Sequence, residues 1–339
     1  MKKSLGNKSL RVLLNYFPNK KDCVFLSKLQ NRDNVFLIEL NSKKYVLKKY
    51  KTGKNIDTRR VTFFGDLQNF TNNKLGLLPQ VIKTTKQKLC VKQDKEIFQI
   101  TEYLDNKDVN KRDISKHDGF FYDIGVMVSK IHNALTEYER NNKVHYRALL
   151  KFYPNDPSKH LLKLLSQYKK QNIGDKYQKI LKAKIKIVDG YNVNQDTFQK
   201  LPIKIVHGDL HVYNLLFDKK FNIIGLVDYT KAGLFFRCYE VIRAFVQTNK
   251  YLGNLLVNPL DLKKYLKGYC RFSQLNQDEV STMLDLYIFI QATDSSFLKV
   301  KDFKNDNKSS LEYGLYRFKS LKHLIKNRES LIKIIHESQ

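Results

Sequence analysis

The chain has 339 residues, of which 42% are hydrophobic and 28% charged, and its formal net charge at pH 7 is +29. This length and apolar content are enough to bury a sizeable core, so an intrinsically disordered chain is excluded. The charge would attract nucleic acid, anionic membranes or phosphorylated small molecules over long range. However, the basic residues are dispersed, and the codon bias of an AT-rich genome also produces Lys and Asn, so charge alone selects no partner.

Neither targeting nor metal-binding patterns stand out in the sequence. The N-terminal stretch MKKSLGNKSLRVLLNYF has an apolar run too short for a signal peptide, and no segment has the apolar length of a membrane span. The four cysteines lack Cys-x-x-Cys or Cys/His ligand spacing. We therefore expect reduced thiols, a cytoplasmic location and no membrane insertion.

The first hundred residues are predicted to form a small sheet with one helix. VFLIEL (Val35 to Leu40) alternates apolar positions, NSKK supplies a turn, and KYVLKKY (Lys44 to Tyr50) continues as a second strand. Lys48 on that strand could hold the α- and β-phosphates of a nucleotide, or it could be a solvent-facing lysine. The preceding segment LQNRDN could fold over a ligand, although it lacks the glycines of a strong phosphate-binding loop.

The segment from Arg59 to Leu75 has near-helical apolar spacing, and most of the chain after residue 120 repeats that pattern. Asp66 lies in the middle of the first of these helices, where it could pair with Lys48 or be solvated. His132 lies on a later amphipathic helix, and its position favours a packing role over a ligand role.

The stretch HGDLHVYNLLFDKKFNIIGLVDY, from His207 to Tyr229, contains the candidate catalytic and metal-binding residues. Two strands flank a loop with Asp209 and Asn214, and a further strand, NIIGLVDY, ends on Asp228. Phosphoryl transfer needs a cation that bridges the phosphates, hard oxygen ligands for it and a carboxylate that orients or deprotonates the attacking hydroxyl. Asn214 and Asp228 are predicted to bind Mg²⁺, and Asp209 is predicted to be the catalytic base. Turns favour Asp, Asn and Gly for structural reasons as well, but the joint pattern is more demanding than any single residue.

HGDLHxxN followed by GLVDY resembles the signature of the aminoglycoside phosphotransferase and choline kinase-like superfamily, and the similarity covers most of the chain. Members have a protein-kinase-like fold and phosphorylate hydroxyl groups of small molecules. The resemblance implies that Lys48 binds ATP. In ITEYLD it implies a hinge whose backbone contacts adenine, at Glu102, Tyr103 and Leu104.

The closest branches in pattern are the spore-coat-kinase and type II homoserine kinase-like proteins. In AGLFFRCYEVIRAF, the residues Arg237, Tyr239 and Glu240 stand where those branches usually have Arg, Tyr and Asp. Asp66 stands near the usual helix glutamate that pairs with the ATP lysine. Thr230 differs from the acidic or glycine residue that is more frequent, which argues against a choline-type cationic site.

The sequence therefore predicts an α+β, bilobal, protein-kinase-like fold. A small N-terminal antiparallel β-sheet lobe with one helix (1–102) would bind nucleotide. A larger, mainly helical C-terminal lobe (103–339), with a helical insertion at about 133–198, would hold the catalytic and acceptor sites.

The predicted activity is an ATP- and Mg²⁺-dependent transfer of the γ-phosphoryl group to a small-molecule hydroxyl. A sugar, amino alcohol or envelope precursor is favoured over an aminoglycoside as acceptor. One alternative is a catalytically weak kinase-fold protein that binds nucleic acid or an anionic surface, against which the filled catalytic positions argue. A protein kinase is a third, but no Ala-Pro-Glu-like anchor follows Asp228. The acceptor, the choice of ATP or GTP and the oligomeric state stay open.

Overall fold

A computed structural model divides the chain into a small lobe built on a five-stranded antiparallel sheet and a larger, mainly helical lobe. The structure describes residues 7–17, 24–29, 34–104, 111–143, 146–150, 156–190, 198–254, 256–300, 303 and 308–339. The predicted α+β bilobal class is confirmed.

The sheet of the small lobe has the strand order β1-β2-β3-β5-β4. Its elements are helices α1 (Asn7–Leu14) and α2 (Thr58–Leu75), and strands β1 (Val24–Lys28), β2 (Val35–Leu40), β3 (Lys43–Lys51), β4 (Val91–Gln93) and β5 (Glu96–Glu102). The predicted hairpin of β2 and β3 is confirmed. Its two-residue turn places Asn41 and Ser42 at positive φ, as a tight hairpin requires. Residues 30–33, most of the predicted nucleotide loop, lie outside the described residues.

Helices cover both faces of this sheet. The side chains of β3 alternate between the two faces, so they contact both helical layers. Tyr45 and Leu47 point to the face covered by α1, where they join a cluster with Val12 and Leu13. Val46 and Lys48 point to the opposite face, toward the large lobe. Helix α1 was not predicted as a helix, and it adds to the single helix expected in this lobe.

Helix α2 is delimited by clear capping signals. Asp57 is its N-cap and accepts a hydrogen bond from the backbone N–H of Arg60 at 2.8 Å. Gly76 ends the helix in the left-handed conformation, with φ of 65°, and its N–H bonds to Asn72 O. These caps set the inward face of α2, which carries Phe64 and Gln68.

Nine helices and four short strands form the described part of the large lobe. The helices are α3 (Lys111–Ile114), α4 (Phe120–Asn141), α5 (Lys159–Lys170), α6 (Asp175–Gly190), α7 (Arg237–Tyr251), α8 (Pro259–Cys270), α9 (Gln277–Thr293), α10 (Lys308–Lys326) and α11 (Arg328–Glu337). The strands are β6 (Ile203–Val206), β7 (Leu215–Phe217), β8 (Ile223–Leu226) and β9 (Gly233–Phe236). Strand β6 pairs with β9 and strand β7 with β8, both antiparallel. Among the described helices, none combines the length and the apolar composition that are needed to cross a membrane.

Helices α4 and α8 pack closely through one glycine on each. A Cβ atom on Gly125 would overlap the carbonyl oxygen of Tyr265, and one on Gly268 would overlap that of Tyr122. Both backbones are buried in the main core. This contact positions His132, further along α4, beside the active-site loop described below.

We expect Gly125→Ala to lower the free energy of unfolding by about 3 kcal/mol, since the added methyl group meets rigid backbone rather than a movable side chain. Gly190→Ala is the matched control, because a Cβ atom at that helical position has no neighbour within 4 Å. The control should be neutral or more stable by about 1 kcal/mol. Urea unfolding followed by circular dichroism measures both, and equal stability of the two variants would contradict the close packing.

Candidate active site

A cleft of about 560 Å³ lies between the sheet and the large lobe. Its volume is within the usual range of ligand sites. Apolar side chains such as Val35, Val46 and Leu216 form much of its wall. Polar groups line it as well: Lys48, Gln99, Glu102, Asn214 and Asp228. We call this the interlobe cleft.

Lys48 and Asp228 meet in the interlobe cleft although they are 180 residues apart. Lys48 Nζ lies 2.5 Å from Asp228 Oδ1, and both side chains are more than four-fifths buried. The alternative of a solvent-facing Lys48 is therefore wrong. Thr230 Oγ1 donates a second hydrogen bond to Asp228 Oδ1 at 2.6 Å.

Asp228 is ionised and conformationally constrained. Burial acts to raise its pKa, but the charge and hydrogen bond of Lys48, together with the Thr230 hydroxyl, hold the pKa well below its usual range. Its backbone is left-handed, with φ of 76°, which Asp tolerates better than most residues. The chain therefore changes direction at Asp228, two residues after the end of β8.

The predicted pairing of Lys48 with Asp66 is wrong. Asp66 is exposed on another face of α2 and lines shallow depressions with Lys83 and Thr62 instead of the interlobe cleft. The error is one of helical phase, because the residues of α2 that reach the cleft are Phe64 and Gln68.

The predicted hinge residues Glu102, Tyr103 and Leu104 all line the interlobe cleft. The Glu102 carboxylate accepts a hydrogen bond from Lys43 Nζ at 3.1 Å, on the solvent side of the sheet. The Tyr103 N–H is bonded to Lys44 O at 3.3 Å, which continues the strand pairing into the hinge.

Asp209 follows a tight turn at Gly208, where φ is 81° and a Cβ atom would overlap the carbonyl oxygen of Lys231. Asp209 Oδ1 accepts from Arg243 Nη2 at 2.6 Å, and Oδ2 accepts from Lys231 Nζ at 2.8 Å. His211 Nε2 lies 3.7 Å from Oδ1. Sequence reasoning gave no role to these three partners. The only signal for Arg243 was an arginine inside the apolar helical run EVIRAF.

These cations decide the protonation state of Asp209. Burial acts to raise its pKa, but the contact with His211 and the charges of Arg243 and Lys231 outweigh it. The pKa of Asp209 is therefore well below its usual range, and the carboxylate is ionised at neutral pH.

Asn214 connects the Asp209 loop to the interlobe cleft. Its Nδ2 donates to Asp209 O at 2.8 Å, which assigns the amide orientation and makes Oδ1 the atom that could bind a cation. Asn214 O accepts from the N–H of Val227 at 2.9 Å, so the ends of β7 and β8 hold Asn214 and Asp228 side by side. The paired strands thus deliver both residues to one cleft, as the sequence predicts.

The donor set fits Mg²⁺. The described residues contain no group of three or more His, Cys, Asp and Glu side chains that could hold a metal. Mg²⁺ does not need one, because it is usually bound by one or two protein oxygens with phosphates and waters. Asp228 and Asn214 offer one carboxylate and one amide oxygen in the same cleft.

Glu240 on α7 binds the backbone at the start of the Asp209 loop. Its carboxylate accepts the N–H groups of His207, at 2.8 Å, and of Gly208. His132 Nε2 lies 3.1 Å from Glu240 Oε2, and His132 Nδ1 lies 3.0 Å from Tyr269 Oη. His132 is therefore a satisfied packing histidine, which confirms that interpretation of the sequence.

Comparison with known proteins supports this site. The model of the phosphotransferase enzyme family matches residues 22–271 of the chain, which include the whole cleft and the loop. No curated protein matches the sequence significantly.

Several solved structures share the fold. An aminoglycoside phosphotransferase from Alicyclobacillus acidocaldarius superimposes with a TM-score of 0.65 at 11% identity over 98% of both chains. A microcompartment-associated aminopropanol kinase gives a TM-score of 0.60 at 12% identity, over 96% of this chain and 99% of that one. Spectinomycin phosphotransferase in complex with ADP and spectinomycin gives 0.57 at 12% identity over 99% of both chains.

At these identities the structural likeness establishes the fold alone, which is the kinase-like one predicted from the sequence. The family match extends over most of the chain, and it includes Asn214 and Asp228, which line the cleft, and Asp209, whose backbone is bonded to Asn214. The chain therefore belongs to the phosphotransferase enzyme family.

Proposed function

We propose that the protein is an ATP- and Mg²⁺-dependent kinase that phosphorylates a hydroxyl group of a small molecule. The observation that carries the proposal is the position of Asn214, which lines the interlobe cleft beside Asp228 and bonds to the backbone of Asp209. A phosphate-binding position and a candidate base are thereby joined through one side chain. The solved relatives are described as kinases and phosphotransferases, and one contains ADP, which is consistent with a nucleotide in this cleft.

In this proposal the lobe of residues 1–102 binds the nucleotide, and residues 103–339 carry the catalytic and acceptor sites. The hinge at Glu102, Tyr103 and Leu104 lies along the adenine, and Lys48 binds the α- and β-phosphates. Lys48 already pairs with Asp228, so phosphate binding requires that its ammonium group be shared or transferred. Asp228 and Asn214 would hold Mg²⁺, which supplies positive charge against the phosphate oxygens.

The chemical step is a single displacement. The acceptor hydroxyl oxygen forms a bond to the γ-phosphorus while the bond from that phosphorus to the oxygen of ADP breaks. Asp209, being ionised, accepts the hydrogen bond of the hydroxyl, orients it and takes its proton as the new bond forms. The proton then passes to solvent, and ADP and the phosphorylated product leave.

We expect Asp209→Asn to lower turnover by about a thousandfold, because it removes the proton acceptor, while nucleotide binding persists. Asp228→Asn should instead weaken binding of Mg²⁺–nucleotide. Binding of a fluorescent ADP analogue and a coupled assay of ADP release, run with a panel of hydroxyl compounds, measure the two effects.

Asp66→Asn is the matched control, since it removes a carboxylate of the small lobe that lies off the cleft. It should leave nucleotide affinity and turnover unchanged. Failure of the unmodified protein to bind the analogue with Mg²⁺, or equal turnover by the Asp209→Asn variant, would refute the proposed function.

The ion pair of Asp209 and Arg243 has a separate consequence for stability. Asp209→Ala leaves Arg243 buried without its carboxylate, so we expect a loss of about 3 kcal/mol in the free energy of unfolding. The double variant Asp209→Ala with Arg243→Met should recover most of that loss, since it removes the uncompensated charge. Urea unfolding tests this difference. An Asp209→Ala variant as stable as the original protein would show that the ion pair does not contribute to the free energy of unfolding.

A further inference from the structure

A second group of charged side chains lies next to Asp209, and none of its members lines the interlobe cleft. We call it the basic cluster and define it by Lys184, Arg243, Lys250, Asp294 and Arg317. It contains four basic side chains and one carboxylate. Arg243, Lys250 and Lys184 are each less than one-tenth exposed, although long basic side chains are almost always at the surface.

Three helices build the basic cluster. Arg243 and Lys250 are seven residues apart on α7, which is two helical turns, so they share one face with Cα atoms about 10 Å apart. Tyr313 and Arg317 are four residues apart on α10 and share a face in the same way. The Lys250 ammonium lies 3.7 Å from the centre of the Tyr313 ring, so these two faces meet.

Asp294, at the end of α9, neutralises only part of this charge. Its Oδ2 accepts from Arg317 Nη1 at 2.7 Å, and its Oδ1 accepts from the Ser296 N–H and hydroxyl. Lys184 Nζ donates to the Gln291 carbonyl oxygen at 2.7 Å, which is a dipole rather than a counter-charge.

Two cationic groups of the basic cluster have no hydrogen-bond acceptor. Among the described residues, neither Lys250 Nζ nor Arg243 Nη1 has a hydrogen-bond partner, and both residues are 8% exposed. Burial, followed by the charges of Arg317 and Arg243, lowers the pKa of Lys250 to about 6. Burial of a basic side chain without a hydrogen-bond acceptor is costly, and the contacts of Lys250 with the rings of Tyr313 and Tyr316 supply no such acceptor.

The charges around Asp209 are unbalanced even when its own pairs are included. With Lys231 there are five basic side chains, and the facing carboxylates are Asp209 and Asp294. Burial lowers the pKa of Lys184 to about 7 and that of Lys250 to about 6, so Lys231, Arg243 and Arg317 carry the positive charge at neutral pH. Glu240 is a third carboxylate near Arg243, but its oxygens already accept the loop N–H groups and His132. Three cations therefore face Asp209 and Asp294, and Arg243 places the positive surplus beside Asp209.

We propose that the acceptor is an anionic hydroxyl compound, bearing a carboxylate or phosphate group that binds to Lys250, Arg243 and Arg317. This inference rests on the proposed function, because it concerns the second substrate of the same site. Arg243 lies between the hydroxyl and the anionic group of that substrate. Its Nη2 bonds to Asp209, which receives the hydroxyl, and its Nη1, which has no hydrogen-bond partner among the described residues, is available to the anionic group. Arg317 and Asp294 lie beyond the residues that the family model matches, so this part of the site belongs to the chain's own C-terminal helices.

The first test measures anion binding at Lys250 without any turnover. The protein, with ADP filling the nucleotide cleft, is treated with acetic anhydride, and acetylation of Lys250 is quantified by mass spectrometry. Sodium sulfate should slow this acetylation about tenfold, as a rise of one pKa unit would. Sodium chloride at equal ionic strength should not, and exposed Lys319 on α10 serves as the reference lysine.

Arg317→Gln should abolish the sulfate effect, while Lys319→Gln, which removes a charge from the same helix, should not. Equal acetylation with sulfate and with chloride would overturn the proposal. So would a Lys250 that is never acetylated, because the cluster would then be closed to small anions.

Lys250→Met provides a second variant that does not depend on labelling. If the function of the Lys250 amine is to bind a ligand, this variant should have a higher thermal unfolding midpoint than the original protein when no ligand is present. It should also lose the additional stabilisation that sulfate gives in the presence of ADP. A lower midpoint would show that Lys250 has a structural role, which contradicts a ligand site.

The second test compares matched acceptors in the ADP-release assay: glycerol with glycerate, and ribose with ribose 5-phosphate. The anionic member of at least one pair should have the higher kcat/KM, by about tenfold or more, and the pair that responds distinguishes carboxylate from phosphate. Arg317→Gln should raise KM for that acceptor without changing KM for ATP.

The outcomes separate this inference from the proposed function. Preference for the neutral members would refute the anionic acceptor and leave the kinase assignment intact. Absence of nucleotide binding would refute the kinase assignment. If nucleotide binds and neither pair reacts, the acetylation result decides.

Discussion

The buried carboxylate of Glu240 is the interaction on which the active site depends. It accepts two consecutive backbone N–H groups, from His207 and Gly208, and so fixes the start of the loop against helix α7. A carboxylate that accepts several N–H bonds is strongly held in its ionised form, and Glu240 has a lowered pKa although burial opposes it. Because the same helix carries Arg243, this attachment sets the position of Asp209 relative to its main cation.

A second interaction joins the lobes. Lys48 comes from the sheet and Asp228 from the turn after β8, and their contact at 2.5 Å crosses the interlobe cleft. In many kinase-like sites a helix carboxylate would hold the lysine, and here α2 presents Phe64 and Gln68 to the cleft instead. The lysine therefore has Asp228 as its partner. In the proposed function a nucleotide would meet this pair, so phosphate binding would be coupled to the arrangement of both lobes.

The net charge of +29 includes basic residues that the structure places in the interior. Dispersed lysines at the surface are compatible with codon bias, but Lys250 and Arg243 are buried, and a buried cation is costly whatever its origin. The distribution of charge is therefore more informative than its sum. Helices α6, α7 and α10 place basic side chains near Asp209, while the interlobe cleft contains the balanced pair of Lys48 and Asp228.

The sequence by itself determined the elements whose signals are local. The alternation of β2 and β3, the apolar spacing of α2 and the spacing of Asp209, Asn214 and Asp228 are all short-range patterns, so the hairpin, the helix and the loop–strand motif could be predicted. Tertiary structure alone decided which distant groups meet. The phase of α2 excludes Asp66 from the cleft, the packing of α7 against the loop brings Arg243 to Asp209, and the packing of α10 against α7 brings Tyr313 to Lys250. The physical reason is that charge partners are chosen by three-dimensional packing, which no spacing along the chain encodes.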